Sequence, residues 1–289
     1  MTAHRTNLPP FPPTMITWAL LLVFLVGGMS APSVLAQDYK EAYNAALEAA
    51  GAKNYTLAYQ KYEEAARGAR SAGDQDVVNS SNKVLSQLDR INGTRALKQG
   101  NFEVARGHFE KGIAHNPSYA PNYHNLGLAL KNLDDLDGAI DAWKNAIEKG
   151  NASRTSKGRE TARAAEKALR ENLYYAASSR LGKSNPSRAD ADAAITTLDA
   201  STAHIEPDAD YYYYMAVARN VRGEYTQSIA MADKALDIHR GSRTDKAKIH
   251  FIKGEALMYQ GDIDGAKASF ANAAYGSYKA SAEHYLQTL

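Results

Sequence analysis

The sequence GNFEVA at residues 100–105 is matched by DDLDGA at residues 134–139. The aromatic residues that follow these segments, Phe109 and Trp143, are separated by the same 34 positions. A single amphipathic helix could imitate one such segment by chance, but chance does not produce consecutive copies at a constant spacing. The spacing therefore predicts that the chain is built from repeats.

The residue types inside each repeat resemble those of the tetratricopeptide repeat, a helix–turn–helix unit of the same length. That family has small residues at its eighth and twentieth places and an aromatic residue at its twenty-fourth, and unit 120–153 matches with Gly127, Ala139 and Trp143. The resemblance assigns units at 39–72, 86–119, 120–153, 209–242 and 247–280, a degenerate unit at 168–208 and a terminal helix at 277–289. It implies an all-α fold, a right-handed α-solenoid of stacked repeats.

The small residues have a physical purpose in this pattern. They let the two helices of a unit approach closely, while the aromatic residue fills the space toward the next unit. At the turns, a glycine is expected to end the first helix in a left-handed conformation, and a capping residue is expected to begin the second. Three pairs fit this expectation: Gly100-Asn101, Gly223-Glu224 and Gly261-Asp262.

Two insertions interrupt the period. The first lies near residues 74–98, where no proline occurs, and predicts one long helix. The second lies between residues 151 and 190 and predicts a helix over 161–181 followed by a loop at 184–187. Insertions of this kind usually lengthen one edge of a solenoid, so they are candidates for the features that distinguish this protein from a plain repeat array.

Residues 1–36 have the order of a secretory signal peptide: Arg5, an apolar run at 15–26 and a small-residue site that ends at Ala36. The run has 12 residues, fewer than the ~20 that a membrane span requires. We therefore expect cleavage, a mature chain of residues 37–289 without a stable membrane span, and export to the periplasm or the outside of a bacterium. Met15 is an alternative start.

The composition excludes several classes of function. Lysine and arginine total 34 and aspartate and glutamate 32, which is not the concentrated basic field of a nucleic-acid-binding protein, so no nucleic-acid partner is expected. The chain has no cysteine, which excludes disulfides, thiolate metal sites and thiol nucleophiles. No catalytic, phosphate-binding or calcium-binding motif is complete in the sequence. We therefore expect no enzymatic activity, no cofactor and no metal.

The resemblance also implies where a partner would bind. In the tetratricopeptide family, the fifth and ninth places of the first helix face a concave groove that binds peptides or partner helices. In this chain the candidate groove residues are Tyr43, Arg90, His124, Leu128, Tyr213, Val217, Phe251 and Glu255. The lysine and asparagine with which chaperone-binding members hold a terminal carboxylate do not occur in that combination, so chaperone tails are not expected ligands.

The four tyrosines at 211–214 cannot all face the core of a helix, because successive helical residues turn by about 100°. We expect Tyr212 to be buried, Tyr213 to face the groove, and Tyr211 or Tyr214 to be partly exposed. Tyr213 and Phe251 are the expected anchors of a ligand segment, since tyrosine is enriched at recognition surfaces. The terminal helix has little outer polarity, which leaves end-to-end self-association open.

The interpretation favoured by these features is an exported scaffold or adaptor that binds a protein or peptide in its groove, with a role in cell-envelope assembly. The alternative is a helical receptor for a small solute or a glycan, for which the tyrosines would provide the platform. An enzyme is the third interpretation, since a fold does not exclude activity.

Overall fold

The computed structural model describes residues 34–289, which form α-helices joined by turns and short loops. In chain order the helices are α1 (Val34–Gly51), α2 (Tyr55–Ala72), α3 (Gln75–Lys98), α4 (Phe102–His115), α5 (Ala120–Asn132), α6 (Leu136–Ala152), α7 (Ser156–Leu181), α8 (Arg188–Asp199), α9 (Ala209–Val221), α10 (Tyr225–Ile238), α11 (Arg243–Gln260), α12 (Ile263–Ala273) and α13 (Lys279–Thr288). A 3₁₀ turn at Gly276–Tyr278 precedes α13. No β-strand occurs in residues 34–289, and the predicted all-α class is confirmed.

The chain divides into two compact units, one that ends at Pro117 and one that spans Ser118–Leu289. The described part of the first unit contains two helical hairpins, α1–α2 and α3–α4. The second unit contains four, α5–α6, α7–α8, α9–α10 and α11–α12, and ends with α13. Each unit has its own buried apolar clusters, around Tyr62 in the first and around Trp143 and Phe270 in the second.

Five hairpin turns share one backbone feature, a positive φ at the fifteenth place of the repeat. Three repeats have the predicted glycine at this place, Gly100 and Gly223 at 77° and Gly261 at 92°. The other two have Lys53 and Asp134, both at 61°. Glycine adopts this conformation freely, whereas a side chain crowds the backbone there. The predicted glycine turns are confirmed, and two repeats keep the same turn without glycine.

The residue after each of these turns begins the second helix. Three such residues cap the helix by accepting a hydrogen bond from the backbone N–H three positions later: Asn54 (3.2 Å), Asp135 (2.9 Å) and Asp262 (2.9 Å). Asn101 and Glu224, which were expected to cap in the same way, make no such bond. The Glu224 carboxylate instead pairs with Arg219 at 2.6 Å. Nothing in the structure explains the missing bond at Asn101.

In some hairpins, a glycine of the first helix faces an aromatic ring of the second helix at close range. This contact occurs in three repeats, between Gly93 and Phe109, Gly127 and Trp143, and Gly254 and Phe270. A Cβ atom at any of these glycines would lie under 3.0 Å from the ring. All three rings are fully buried. Trp143 also belongs to a buried cluster that includes Leu169 of α7, so this cluster connects the hairpin to the next helix.

Both segments that break the 34-residue period are helical. The helix expected over 74–98 is present as α3. The helix expected over 161–181 is present as α7, which begins earlier, at Ser156, and pairs with α8 after a loop at 182–187. The irregular segment therefore contributes one more hairpin to the second unit.

The predicted signal peptide falls on residues 1–36, and residues 1–33 lie outside the described part of the chain. Within the described part, no helix has both the length and the apolar composition that crossing a membrane requires.

Candidate partner-binding face

The first helices of the four hairpins in the second unit lie side by side. α5 packs against α7, α7 against α9, and α9 against α11. The outward side chains of these four helices form one continuous surface, which we call the A-helix face. Six of the predicted groove residues are on these helices: His124, Leu128, Tyr213, Val217, Phe251 and Glu255.

Aromatic rings follow one another across this face. The ring centroids of Tyr174 and Tyr214 are 5.6 Å apart, and those of Tyr214 and Tyr213 are 5.1 Å apart. Tyr213 interacts with the hydroxyl of Tyr278, whose ring is 5.2 Å from that of Phe251. All five side chains are half-buried, so each packs on one side and is accessible on the other. We call these five residues the aromatic track.

Tyr213 is held in place by its neighbours. Lys248 Nζ is 4.6 Å from the centre of the Tyr213 ring and 2.6 Å from a carboxylate oxygen of Asp210. A cation over a tyrosine ring is an attractive contact, and the carboxylate fixes the ammonium there. Burial, together with the interaction with Tyr278, raises the pKa of the Tyr213 phenol well above its ordinary value. Tyr213 is therefore a neutral, oriented hydroxyl at physiological pH.

Glu255 lies four residues after Phe251 on α11, so the two side chains share one side of the helix. The Glu255 carboxylate is half-buried and makes no hydrogen bond or ion pair with any residue in 34–289. Burial raises its pKa to about 7. The phenols of Tyr213 and Tyr285 are close enough to interact with its charge. A half-buried carboxylate without a cation is a favourable place for a positive group of a ligand.

The other predicted residues of this unit are half-buried, like those of the aromatic track. His124 Nδ1 is buried without a hydrogen-bond partner among the described residues, and burial, aided by the charge of Lys157, lowers the pKa of the ring. Leu128 packs against the buried cluster around Trp143. Val217 packs against the buried cluster around Ile249.

The remaining two predicted residues, Tyr43 and Arg90, are in the first unit. Tyr43 packs edge-to-face on Tyr62, with ring centroids 5.8 Å apart. Arg90 is half-buried, and its Nε is enclosed without a partner in the described part of the chain. The eight predicted residues therefore form two sets, two in the unit that ends at Pro117 and six in the other.

The tyrosine run differs from expectation at one position. Tyr211, at 7% exposure, is the buried member, and its hydroxyl donates to Asp199 at 2.9 Å. Tyr212 is only half-buried, so the prediction that it is the buried one is wrong. The reason is that α8, which supplies Asp199, packs against the side of α9 that carries Tyr211. Tyr214 is partly exposed, as one of the pair was expected to be.

Three members of the aromatic track were not among the predicted groove residues. Tyr214 was expected only as one of two tyrosines that could be partly exposed. Tyr174 lies in the segment where the period is broken, and it precedes Tyr214 by 40 positions instead of 34. Tyr278 lies in the 3₁₀ turn after α12, at a place that is not the fifth or ninth of any repeat. A periodic pattern therefore points to neither residue, and their common signal in the sequence is only that they are tyrosines.

A polar cluster in the first unit was also missed. Asp89 on α3 is fully buried, and the Tyr59 hydroxyl donates to its carboxylate at 3.3 Å. His115 Nδ1 lies 3.0 Å and His108 Nδ1 3.4 Å from the same carboxylate. The sequence shows these histidines only as two residues seven positions apart on α4. Residues 34–289 contain no group of three or more acidic or histidine side chains arranged to hold a metal.

Comparison with protein-family profiles and with curated proteins finds no match to this chain. Among solved structures, it is similar to MamA from Desulfovibrio magneticus RS-1, with 19% identity, a TM-score of 0.38, and 65% of this chain and 92% of that chain covered. It is similar to a thermophilic TPR protein from Thermus thermophilus, with 18% identity, a TM-score of 0.31, and 70% and 99% covered. It is also similar to a tetratricopeptide repeat protein from Parabacteroides merdae, with 14% identity, a TM-score of 0.30, and 87% and 98% covered.

Proposed function

We propose that this chain of tetratricopeptide-like repeats is a protein-interaction scaffold, and that its A-helix face binds an extended segment of a partner protein along the aromatic track. The observation that supports this proposal is the series of half-buried rings on α7, α9, the 3₁₀ turn and α11. Because these helices are packed against each other, a ligand segment would meet rings whose positions are set before it binds.

Aromatic rings suit this role for energetic reasons. Tyrosine offers a large contact area, loses little conformational freedom on binding, and has a hydroxyl that can bond to a peptide backbone. Few residues dominate the affinity of most interfaces, and tyrosine is prominent among them. Tyr214 and Phe251, one on α9 and the other on α11, are the rings that we expect to contribute most.

Glu255 would give the proposed site a preference for a ligand with a positive charge. Its unpaired carboxylate next to the ring of Phe251 would favour a lysine or arginine side chain, whose stem would pack on the ring and whose charge would reach the carboxylate. We therefore propose that the bound segment carries a basic residue at this end of the track.

The proposal is tested by selecting peptides from a random library on the immobilised protein and titrating the best binder calorimetrically. Tyr214→Ala is expected to weaken binding about tenfold or more, because a central ring typically contributes above ~1 kcal/mol. Tyr175→Ala is the matched control, since Tyr175 neighbours Tyr174 on α7 but is 72% exposed. We expect this variant to bind like the original protein.

Equal losses in the two variants would contradict the proposed site, as would a library that yields no binder. The double variant Tyr213→Ala with Phe251→Ala is expected to abolish capture while helicity is retained. Phe251 also packs on Phe270 and Tyr285, at 5.6 and 5.9 Å. The circular dichroism spectrum and the unfolding midpoint therefore have to accompany the binding measurement for this variant.

We further propose that the protein acts after export, in the bacterial envelope, as the leader sequence indicates. Fractionation of the source cells with an antibody against the chain tests this, and a cytoplasmic product that retains residues 1–36 would overturn it. The alternative, a receptor for a solute or glycan, predicts a sugar-dependent rise in the melting temperature that the Tyr214→Ala variant lacks.

A further inference from the structure

The first unit contains an open cleft of about 450 Å³ that the partner-binding proposal does not use. Its lining comes from the α1–α2 turn and the start of α2, the second half of α3 and the middle of α4. This volume falls within the ~300–1,000 Å³ that is typical of small-molecule sites. On α3, Asn92 and Arg95 line the cleft. They are on a different side of the helix from Arg90, because each residue turns by about 100°.

Three cationic side chains line the cleft: Lys53, Arg95 and Lys111. None of them forms an ion pair or a side-chain hydrogen bond with another residue of 34–289, and no aspartate or glutamate is in the lining. Lys61 on α2 and Arg106 on α4, in contrast, pair with glutamates of their own helices. Like charges around one cleft repel unless an anion lies between them.

Lys53 reaches the cleft from a backbone conformation that disfavours it. Its φ of 61° is at the repeat place where Gly100, Gly223 and Gly261 occur in other units. A non-glycine residue there destabilises the turn, because its side chain crowds the backbone. Residues held in sparsely populated backbone regions are frequent at ligand sites. Lysine at this turn therefore lowers the stability of the hairpin while it places a charge at the cleft.

The cleft also has oriented polar groups. Tyr59 and His108 are both in its lining, and both contact the buried carboxylate of Asp89, at 3.3 and 3.4 Å. The Asp89 carboxylate fixes these two side chains before any ligand arrives. The apolar side chains of Leu88 and Ile91 complete the floor. Preorganised groups of this kind reduce the ordering cost of binding.

From this geometry we infer that the cleft is a binding site for a small organic polyanion, whose charged oxygens contact Lys53, Arg95 and Lys111 and whose body lies on Ile91 and Tyr59. Phosphate and carboxylate groups both form charge-assisted hydrogen bonds with lysine and arginine. The site lies in the unit that ends at Pro117, and its test does not depend on the peptide-binding face of the other unit.

The probes are pyrophosphate and citrate, titrated calorimetrically into the purified protein at constant ionic strength. Lys53→Gly is the informative variant, because it removes the cation and relieves the turn. We expect this variant to unfold at higher urea concentration and to bind the anion at least about tenfold more weakly. Asp134→Gly is the matched control at the same repeat place, and it should gain stability without any change in anion binding.

A second pair of variants separates a specific site from general attraction. Arg95→Gln is expected to lose binding about tenfold, and Arg106→Gln, which removes the same charge from the outer surface of α4, is expected to retain it. Binding of pyrophosphate alone supports a phosphorylated ligand, binding of citrate alone supports a polycarboxylate, and binding of both supports the shared chemistry. Failure of both probes to bind at about 10 mM, or equal losses in Arg95→Gln and Arg106→Gln, would overturn the inference.

Discussion

Glu255 is at the ninth place of its repeat, where the other regular units carry Leu47, Thr94, Leu128 and Val217. The other four residues are uncharged, so the carboxylate is a departure from the pattern at this place. It is half-buried beside Phe251 and has no cation near enough to pair with among residues 34–289. A charge in such a place lowers the stability of the folded protein, and this cost is understandable if the charge serves recognition.

The pKa of Glu255 makes this cost measurable. The folded-state pKa is about 7, above the ordinary 4.5, so the folded protein binds more protons than the unfolded chain between these values. Stability from this group is therefore lost as the pH rises from 4.5 to 7. We expect Glu255→Gln to be more stable than the original protein at pH 8 by about 1–2 kcal/mol, with a smaller difference at pH 5.

Urea unfolding at both pH values checks this expectation. His124 and His250 contribute in the opposite sense, because burial lowers their pKa values and stability from them is lost as the pH falls below 6.5. Both histidines are present in the original protein and in the Glu255→Gln variant. Their effect therefore cancels when the two free energies of unfolding are subtracted. A pH-independent difference would show that the Glu255 charge is not desolvated. If Glu255 recognises a basic ligand, the same variant should bind the selected peptide more weakly.

At the scale of the helical hairpin, closure depends on the contact between a glycine and an aromatic ring. Gly93 is the clearest case, because a Cβ atom there would lie 2.5 Å from a ring atom of Phe109. Phe109 is fully buried and cannot move outward without opening the hairpin. The turn at the end of α3 is short, so the two helices cannot shift apart independently.

Gly93→Ala is therefore expected to lower the free energy of unfolding by about 1–3 kcal/mol. Gly107→Ala is the matched control, because Gly107 is a helical glycine of α4 whose Cβ would meet nothing within 4 Å. It should raise the free energy of unfolding by about 0.5–1 kcal/mol, since alanine is the better helix former. Circular dichroism in urea measures both. A gain in both variants would indicate that helix propensity, and not ring contact, is decisive.

The irregular hairpin α7–α8 shows how a departure from the period adds to a binding surface. α7 is longer than the other first helices of its unit and carries Tyr174, whose hydroxyl donates to Asp208 at 2.6 Å. Asp208 is also the N-cap of α9, where it accepts from the backbone N–H of Tyr211. The same carboxylate thus sets both the start of α9 and the position of Tyr174 against Tyr214.

At the scale of the whole chain, the two proposed sites lie in different units. The aromatic track and Glu255 are built entirely from residues 118–289, and the polyanion cleft entirely from the unit that ends at Pro117. The clusters around Trp143, Leu198, Ile249 and Phe270 are likewise formed within 118–289. A unit with its own core can fold by itself.

A fragment of residues 118–289 is therefore expected to unfold cooperatively and to bind the selected peptide with the affinity of the full chain. The same fragment should bind neither pyrophosphate nor citrate. Thermal unfolding and calorimetry on the fragment and the full chain provide the comparison. An aggregated fragment, or one that has lost peptide binding, would indicate that the site depends on the first unit.

Local features of the sequence were sufficient to predict the helical hairpins. The glycine at the fifteenth place and the glycine opposite the aromatic residue act within one hairpin, at fixed offsets along the chain, so a period of 34 identifies them. The same reasoning located Tyr213, Phe251 and Glu255 on first helices, because their places in the repeat are constant. It did not identify Tyr174 and Tyr278, which lie outside the constant places of the repeat.

The sequence by itself determined that the chain is helical, where most hairpins turn, and which glycines and aromatic residues close them. Only the tertiary structure decided which side chains from different hairpins meet. It placed Tyr174 against Tyr214, gathered His108, His115 and Tyr59 around Asp89, and brought Lys53, Arg95 and Lys111 to one cleft. The physical reason is that contacts between hairpins depend on helix lengths and packing, which differ from repeat to repeat and leave no constant spacing in the chain.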